Sequence, residues 1–168
     1  MKGIKEITVF SIGNSNELKT WSNVPYFFTK SLEEKNIKVN RIDIEENNVL
    51  NLLYKYSVYI FLKLTNKNSN HTYFRSRLNY FLTNRKIENA IRKYGSSDVL
   101  LFLTYSFSAP KKSHKKIILF SDWSYLYYIN TFLKREPIWF EENMLNKEKQ
   151  NINNADIILS LFPKSLEF

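Results

Sequence analysis

Ile7-Thr8-Val9-Phe10-Ser11-Ile12-Gly13-Asn14-Ser15-Asn16 decides the fold. Six residues, four of them apolar and the other two small hydroxyl residues, run into a Gly, Asn and Ser cluster. A strand buried on both faces reads this way, and such strands belong to parallel sheets covered by helices. Downstream, Ser22 or Asn23 can cap a helix, and Pro25 suits its first turn. Val24, Phe27, Phe28 and Leu32 recur at helical spacing and predict its inward face. Val39, Ile42 and Ile44 predict a second strand ending in Asp43-Ile44-Glu45-Glu46.

The alternation continues toward the carboxyl end. Residues 49–64 are nearly all apolar or aromatic. The first half reads helical through Val49, Leu52, Leu53 and Tyr56, and Val58-Tyr59-Ile60-Phe61-Leu62 suits helix or strand. Tyr73 to Tyr94 predicts a strong helix with Phe74, Leu78, Phe81, Ile87, Ile91 and Tyr94 inward. Arg75, Arg77, Arg85, Lys86, Arg92 and Lys93 then fall on exposed faces, an amphipathic arrangement that suits an anionic membrane surface. Gly95-Ser96-Ser97 ends it. Residues 98–104 and 117–120 predict two more strands, helices follow around 124–134 and 138–153, and Ala155-Asp156-Ile157-Ile158-Leu159-Ser160 predicts a fifth strand. The expected architecture is therefore α/β: one Rossmann-like parallel sheet flanked by helices, over residues 1–168.

Composition narrows the function. The chain has 168 residues and 43% hydrophobic content, enough for one domain with its own core. It has no Cys, which removes disulfides and thiolate metal sites. No signal-peptide pattern and no spanning apolar run of roughly 18 residues is present, so the chain reads as cytoplasmic, at most peripheral on the inner face of a membrane. Net charge is +9, yet thirteen Lys and Arg from Lys55 to Lys116 face only Glu88 and Asp98. Such a basic region suits lipid headgroups, a phosphorylated substrate or nucleic acid. A codon bias toward Lys, Asn, Ile, Tyr and Phe gives the same pattern, and both readings stand. Nucleic acid ranks below a membrane, because no RNP-like motif, zinc finger or clear helix-turn-helix is visible.

Ligands of parallel sheets bind beyond the carboxyl ends of the strands. Gly13-Asn14-Ser15-Asn16 lies at one such end. It has one Gly where a dinucleotide fingerprint needs three, and the chain has no GK[ST] loop. Its backbone N–H groups can still meet a phosphate or a sugar hydroxyl; an ordinary βα turn is the plainer reading. Asp122, at the most polar strand end, can bind a sugar hydroxyl or act as a general base. Trp123 beside it can stack on a sugar ring. Equally, Asp122 or Ser121 can cap the next helix. His71 and His114 lack metal-ligand spacing and read as exposed and inert. Glu136, Glu141 and Glu142 read as a solvated helix start.

Three stretches resemble the N-terminal domain of the family-four group of GT-B glycosyltransferases. They are Trp21-Ser22-Asn23-Val24-Pro25-Tyr26-Phe27-Phe28 with Leu32-Glu33 and Val39, then Ser121-Asp122-Trp123-Ser124-Tyr125, then Ala155-Asp156-Ile157-Ile158-Leu159-Ser160. Their order and spacing follow the family along nearly the whole chain. The resemblance implies a single GT-B half-domain that holds a glycan or glycolipid acceptor. The nucleotide-sugar donor would bind a second domain or a partner chain, with retaining transfer and no metal or other cofactor. It places Asn14, Ser15 and Asn16 with Gly13, Trp21 and Ser22 at the cleft, and Asp122 near the reacting sugar. Asn23 stands where the family has Gly, and no donor domain follows Phe168, so the chain alone is expected to transfer no sugar. The competing expectation is a non-catalytic binding module or a subunit of a split transferase; a flavodoxin-like or receiver-like domain ranks last.

Overall fold

The computed structural model describes residues 3–60, 64, 73–110, 114–139 and 141–162. In chain order the elements are β1 (Glu6–Ser11), α1 (Val24–Glu34), β2 (Lys38–Asp43), α2 (Asn48–Tyr54), α3 (Arg77–Lys93), β3 (Val99–Phe102), β4 (Lys116–Ser121), α4 (Tyr125–Tyr128), α5 (Glu142–Asn154) and β5 (Ile157–Ser160). Lys55–Tyr59 and Ile129–Leu133 prolong α2 and α4 as wider π-helical turns. The five strands expected from the sequence are the strands of the sheet, with ends shifted by one or two residues. The ambiguous stretch after Val49 is helical through Ile60, and the rest of it is described only at Leu64, also helical.

All the strand pairings are parallel, in the order β2-β1-β3-β4-β5. The fold is thus a Rossmann-like α/β domain with helices on both faces. The order reverses between β1 and β3, and open sheets form their ligand crevice at such a switch point. Pairing of Phe10 with Phe102 across β1 and β3 stacks their rings, centroids 4.4 Å apart and 6° from coplanar. Burying each such ring contributes about 1.5–3 kcal/mol.

Strand alternation sends Phe10, Leu100, Phe102, Ile117 and Leu119 to the face covered by α3 and α5. Ile7, Val9, Val99 and Leu101 go to the face covered by α1. On α1, Phe28 and Leu32 pack as predicted, while Phe27 is exposed and Thr29 is buried. Thr29 earns its place by bonding: its hydroxyl donates to the Pro25 carbonyl at 2.8 Å and accepts from Arg41 Nε at 3.2 Å.

The inward face of α3 also differs from the prediction. Asn79, Thr83, Ile87 and Ala90 are buried, and Leu78 and Phe81 are exposed. The apolar residues of this helix form two stripes, since Ile87 lies about 120° around the helix from Phe81. The sheet takes the second stripe.

The connection between β3 and β4 is irregular over its described residues, yet Tyr105, Phe107 and Ala109 are buried in the core. A buried irregular backbone must find polar partners. Asn151 on α5 supplies one, donating Nδ2 to the Tyr105 carbonyl at 3.0 Å. At the amino end of the sheet, Asp98 accepts the N–H of Lys5 at 2.8 Å and Asp156 that of Ile117 at 2.7 Å. Those carboxylates fasten strand starts.

Candidate functional site

A polar pocket of about 190 Å³ opens at the carboxyl end of the sheet. Ile12 beyond β1, Thr104 to Ser106 beyond β3, Ser121 at the end of β4 and Asp122 and Trp123 beyond it line the pocket, with Arg75, Tyr125 and Glu148 closing the side. A cavity of about 480 Å³ lies at the amino end beside Glu6, Asp98 and Lys116. The smaller pocket is the candidate site, because it sits at the switch point where this architecture binds ligands.

Asp122 lines this pocket, half-buried. Its Oδ1 accepts the Trp123 N–H at 2.9 Å and the Ser121 hydroxyl at 3.2 Å. It does not cap α4. Ser124 does, its hydroxyl accepting the Tyr127 N–H at 3.2 Å. Capping therefore does not explain the carboxylate at Asp122. Trp123, 37% exposed, stacks on Phe162 with centroids 6.2 Å apart and tilts against Phe132 at 5.1 Å. Phe132 and Phe162 are themselves exposed. The three rings form an aromatic platform at the rim of the pocket.

Glu148 was invisible to the sequence reading. It projects from α5, an Asn-, Lys- and Glu-rich helix, and is buried with 3% of its surface exposed. Oε1 accepts the Tyr125 N–H at 2.6 Å and Oε2 the Ser106 hydroxyl at 3.4 Å. Burial pushes its carboxyl up to about 7, against the Tyr125 N–H, the Arg75 charge and the Ser106 hydroxyl, all of which favour the anion. A carboxyl poised near neutrality in a cleft fits general acid–base chemistry. The one available signal was position: Glu148 and Asn151 share the buried side with Met144 and Ile152.

Arg75 also lies apart from its predicted place. Its guanidinium stacks over the Tyr125 ring, 3.9 Å from the centroid, and it lines the pocket. It precedes α3 in a short 3₁₀ turn, Tyr73–Arg75. Arg77, Arg85, Lys86, Arg92 and Lys93 are exposed as predicted. Tyr125 in turn donates its hydroxyl to Glu141 Oε1 at 2.8 Å. Glu141 is buried rather than solvated, because Arg135 grips both its oxygens at 2.7 Å. Burial acts to raise the Glu141 carboxyl, but Arg135, the Ile138 N–H and the Tyr125 hydroxyl outweigh it and hold it below its ordinary value. Glu136, Glu142 and His114 are exposed. His71 lies outside the described residues.

The glycine loop is less available than its sequence suggests. Gly13 donates its N–H to Asp43 Oδ1 at 3.0 Å, and Asn16 donates its own to Asn14 Oδ1 at 3.0 Å. Those two N–H groups are therefore committed within the protein. Asn14 and Asn16 are exposed, and Ser15 is buried with no protein partner for its hydroxyl among the described residues. Trp21 packs on Phe120 at 5.9 Å, on the α1 face of the sheet and away from the pocket. Ser22 is exposed. Trp21, Ser22 and Asn23 all have left-handed backbone, with φ of 37°, 52° and 70°. These residues redirect the chain into α1.

No known protein family, curated protein or solved structure matches this chain.

Proposed function

We propose that this domain holds the acceptor in a sugar-transfer reaction, as the acceptor-side half of a GT-B-type glycosyltransferase. A second domain or partner chain would bring the nucleotide sugar. The observation that carries this reading is Asp122 beside the exposed platform of Trp123, Phe132 and Phe162. Sugars present hydroxyls around an apolar ring face. A carboxylate that accepts hydroxyl protons, next to aromatic rings that cover C–H groups, matches both surfaces. Glu148, at the wall of the same pocket, supplies a second carboxyl able to hold or release a proton near neutral pH. The likeness of the Trp21 and Asp122 segments to family-four transferases points the same way.

The test is titration of the chain with a panel of neutral and amino mono- and disaccharides. Tryptophan emission and saturation-transfer NMR are the readouts. The expected result is millimolar binding that perturbs emission, weakened at least about tenfold by Asp122→Asn and by Trp123→Ala, the loss of one bidentate contact or one stacked ring. Absence of saccharide binding across the panel would overturn the reading.

A further inference from the structure

We propose that α2 and the first turns of α3 form a docking surface for an anionic lipid bilayer, with α2 lying in the headgroup layer. This stands independently of the sugar-transfer reading.

Helix α2 buries no residue. Val49, Leu52, Leu53, Tyr56 and Ile60 are all exposed, by 47% to 68%. At helical spacing they fall within an arc of about 100°, a single apolar stripe. The helix is held from its other side, where Tyr54 meets the buried Tyr73 with centroids 5.6 Å apart. The protein thus binds the flank of α2 and leaves its apolar stripe to solvent.

Tyr73 leads directly into α3, whose first two turns expose Leu78, Phe81 and Leu82 beside Arg77, Arg85 and Lys86. Arg85 lies over the Phe81 ring at 4.4 Å, its charge still at the surface. Between Glu46 and Glu88 the sequence holds seven Lys and Arg and no Asp or Glu. Along this stretch of the chain, apolar and cationic residues therefore alternate with no acidic residue between Glu46 and Glu88.

This combination selects the occupant. Nucleic acid would use the cations and leave the five-residue stripe in water. A second copy docked face to face would oppose two surfaces of the same strong charge. An anionic leaflet satisfies both features: acyl chains and headgroup carbons take the stripe, and lipid phosphates take Arg77, Arg85 and Lys86.

The experiment uses the whole chain and vesicles of phosphatidylcholine, with or without phosphatidylglycerol. Sedimentation should show binding to the anionic vesicles, weakened several-fold when salt rises from about 0.1 to 0.5 M. Leu52→Ser with Leu53→Ser changes only exposed side chains and should leave the circular dichroism spectrum and melting curve intact. It should weaken vesicle binding by at least roughly tenfold, as expected for two lost apolar contacts. In Tyr56→Trp, brominated lipid should quench the added emission. Binding that ignores lipid charge, a Leu52/Leu53 variant that binds like the parent, or an unquenched Trp at position 56 would each overturn the proposal. So would a chain that dimerises through this stripe and ignores vesicles. Should the double variant lose its fold, the quenching result decides alone.

Discussion

The Glu148 carboxylate accepts the backbone N–H of Tyr125 at 2.6 Å, so α5 and the first turn of α4 are joined through a group whose ionisation is unfavourable. Burial holds its carboxyl near 7, above the ordinary 4.5. The folded state therefore binds this proton more tightly than the unfolded chain. The resulting stabilisation is complete below about pH 4 and is lost as pH rises toward and through 7. Its size is of order 3 kcal/mol. Urea unfolding from pH 5 to 8 should show stability falling across that window. Glu148→Gln keeps the acceptor oxygen without the charge. It should remove this fall and leave the variant the more stable protein at pH 8. An equal fall in parent and variant would refute the assignment.

Arg75 lowers the Glu148 carboxyl by its charge, although less strongly than burial raises it. Arg75→Met should therefore move the Glu148 titration to higher pH. Site-selective ¹³C NMR of the glutamate side chains reads this directly, and an unmoved midpoint would separate the two groups. The same variant loses the stacking on Tyr125, a contact of about 0.5–2 kcal/mol.

Glu141 behaves in the opposite sense. Its carboxyl lies below the ordinary range, so the stability it supplies is present above about pH 4.5 and disappears as pH falls through its lowered value. Replacing Arg135 by Met leaves Glu141 buried and without its counter-charge, at a cost of about 3–5 kcal/mol. Replacing both Arg135 and Glu141 by apolar residues should cost less than Arg135→Met alone. A denaturation double-mutant cycle measures this, and simple additivity would contradict it.

Gly13 has φ of 90°, and a Cβ there would stand 2.9 Å from Thr20 Cγ2. Gly13→Ala should destabilise by about 1–3 kcal/mol through backbone strain and that contact together. Thr20→Ser removes the methyl and keeps the hydroxyl that donates to the Asn14 carbonyl at 2.7 Å. Added to Gly13→Ala, it should restore the steric share of the loss and leave the backbone share. Thermal melts of the three variants test the split; no recovery in the double variant would count against the contact.

β1, β3, β4 and β5 were legible because each is a short, largely apolar run closed by polar residues, β2 because Val39 and Ile42 follow a readable helix, and the helices because their spacing is regular. Asp122 and Trp123 were legible as a site for the same reason: they follow a readable strand. Two things were not. Leu78 and Phe81 carry the same helical signal as Ile87, and only the position of the sheet decides which stripe it covers. Glu148 sits in a helix whose neighbours are nearly all polar, so only its spacing from Met144 and Ile152 separates it from solvated residues.

The sequence by itself determined the order of strands and helices, the charge concentration from Lys55 to Lys116 and the polar end of β4 at Asp122, since all three rest on residues adjacent along the chain. Only the tertiary structure decided that Arg75 turns inward and that Glu148 and Glu141 are buried carboxylates with opposite shifts. Burial and charge pairing depend on what lies across space. The partners concerned are up to 73 residues apart along the chain in the case of Arg75 and Glu148, beyond the reach of any local pattern.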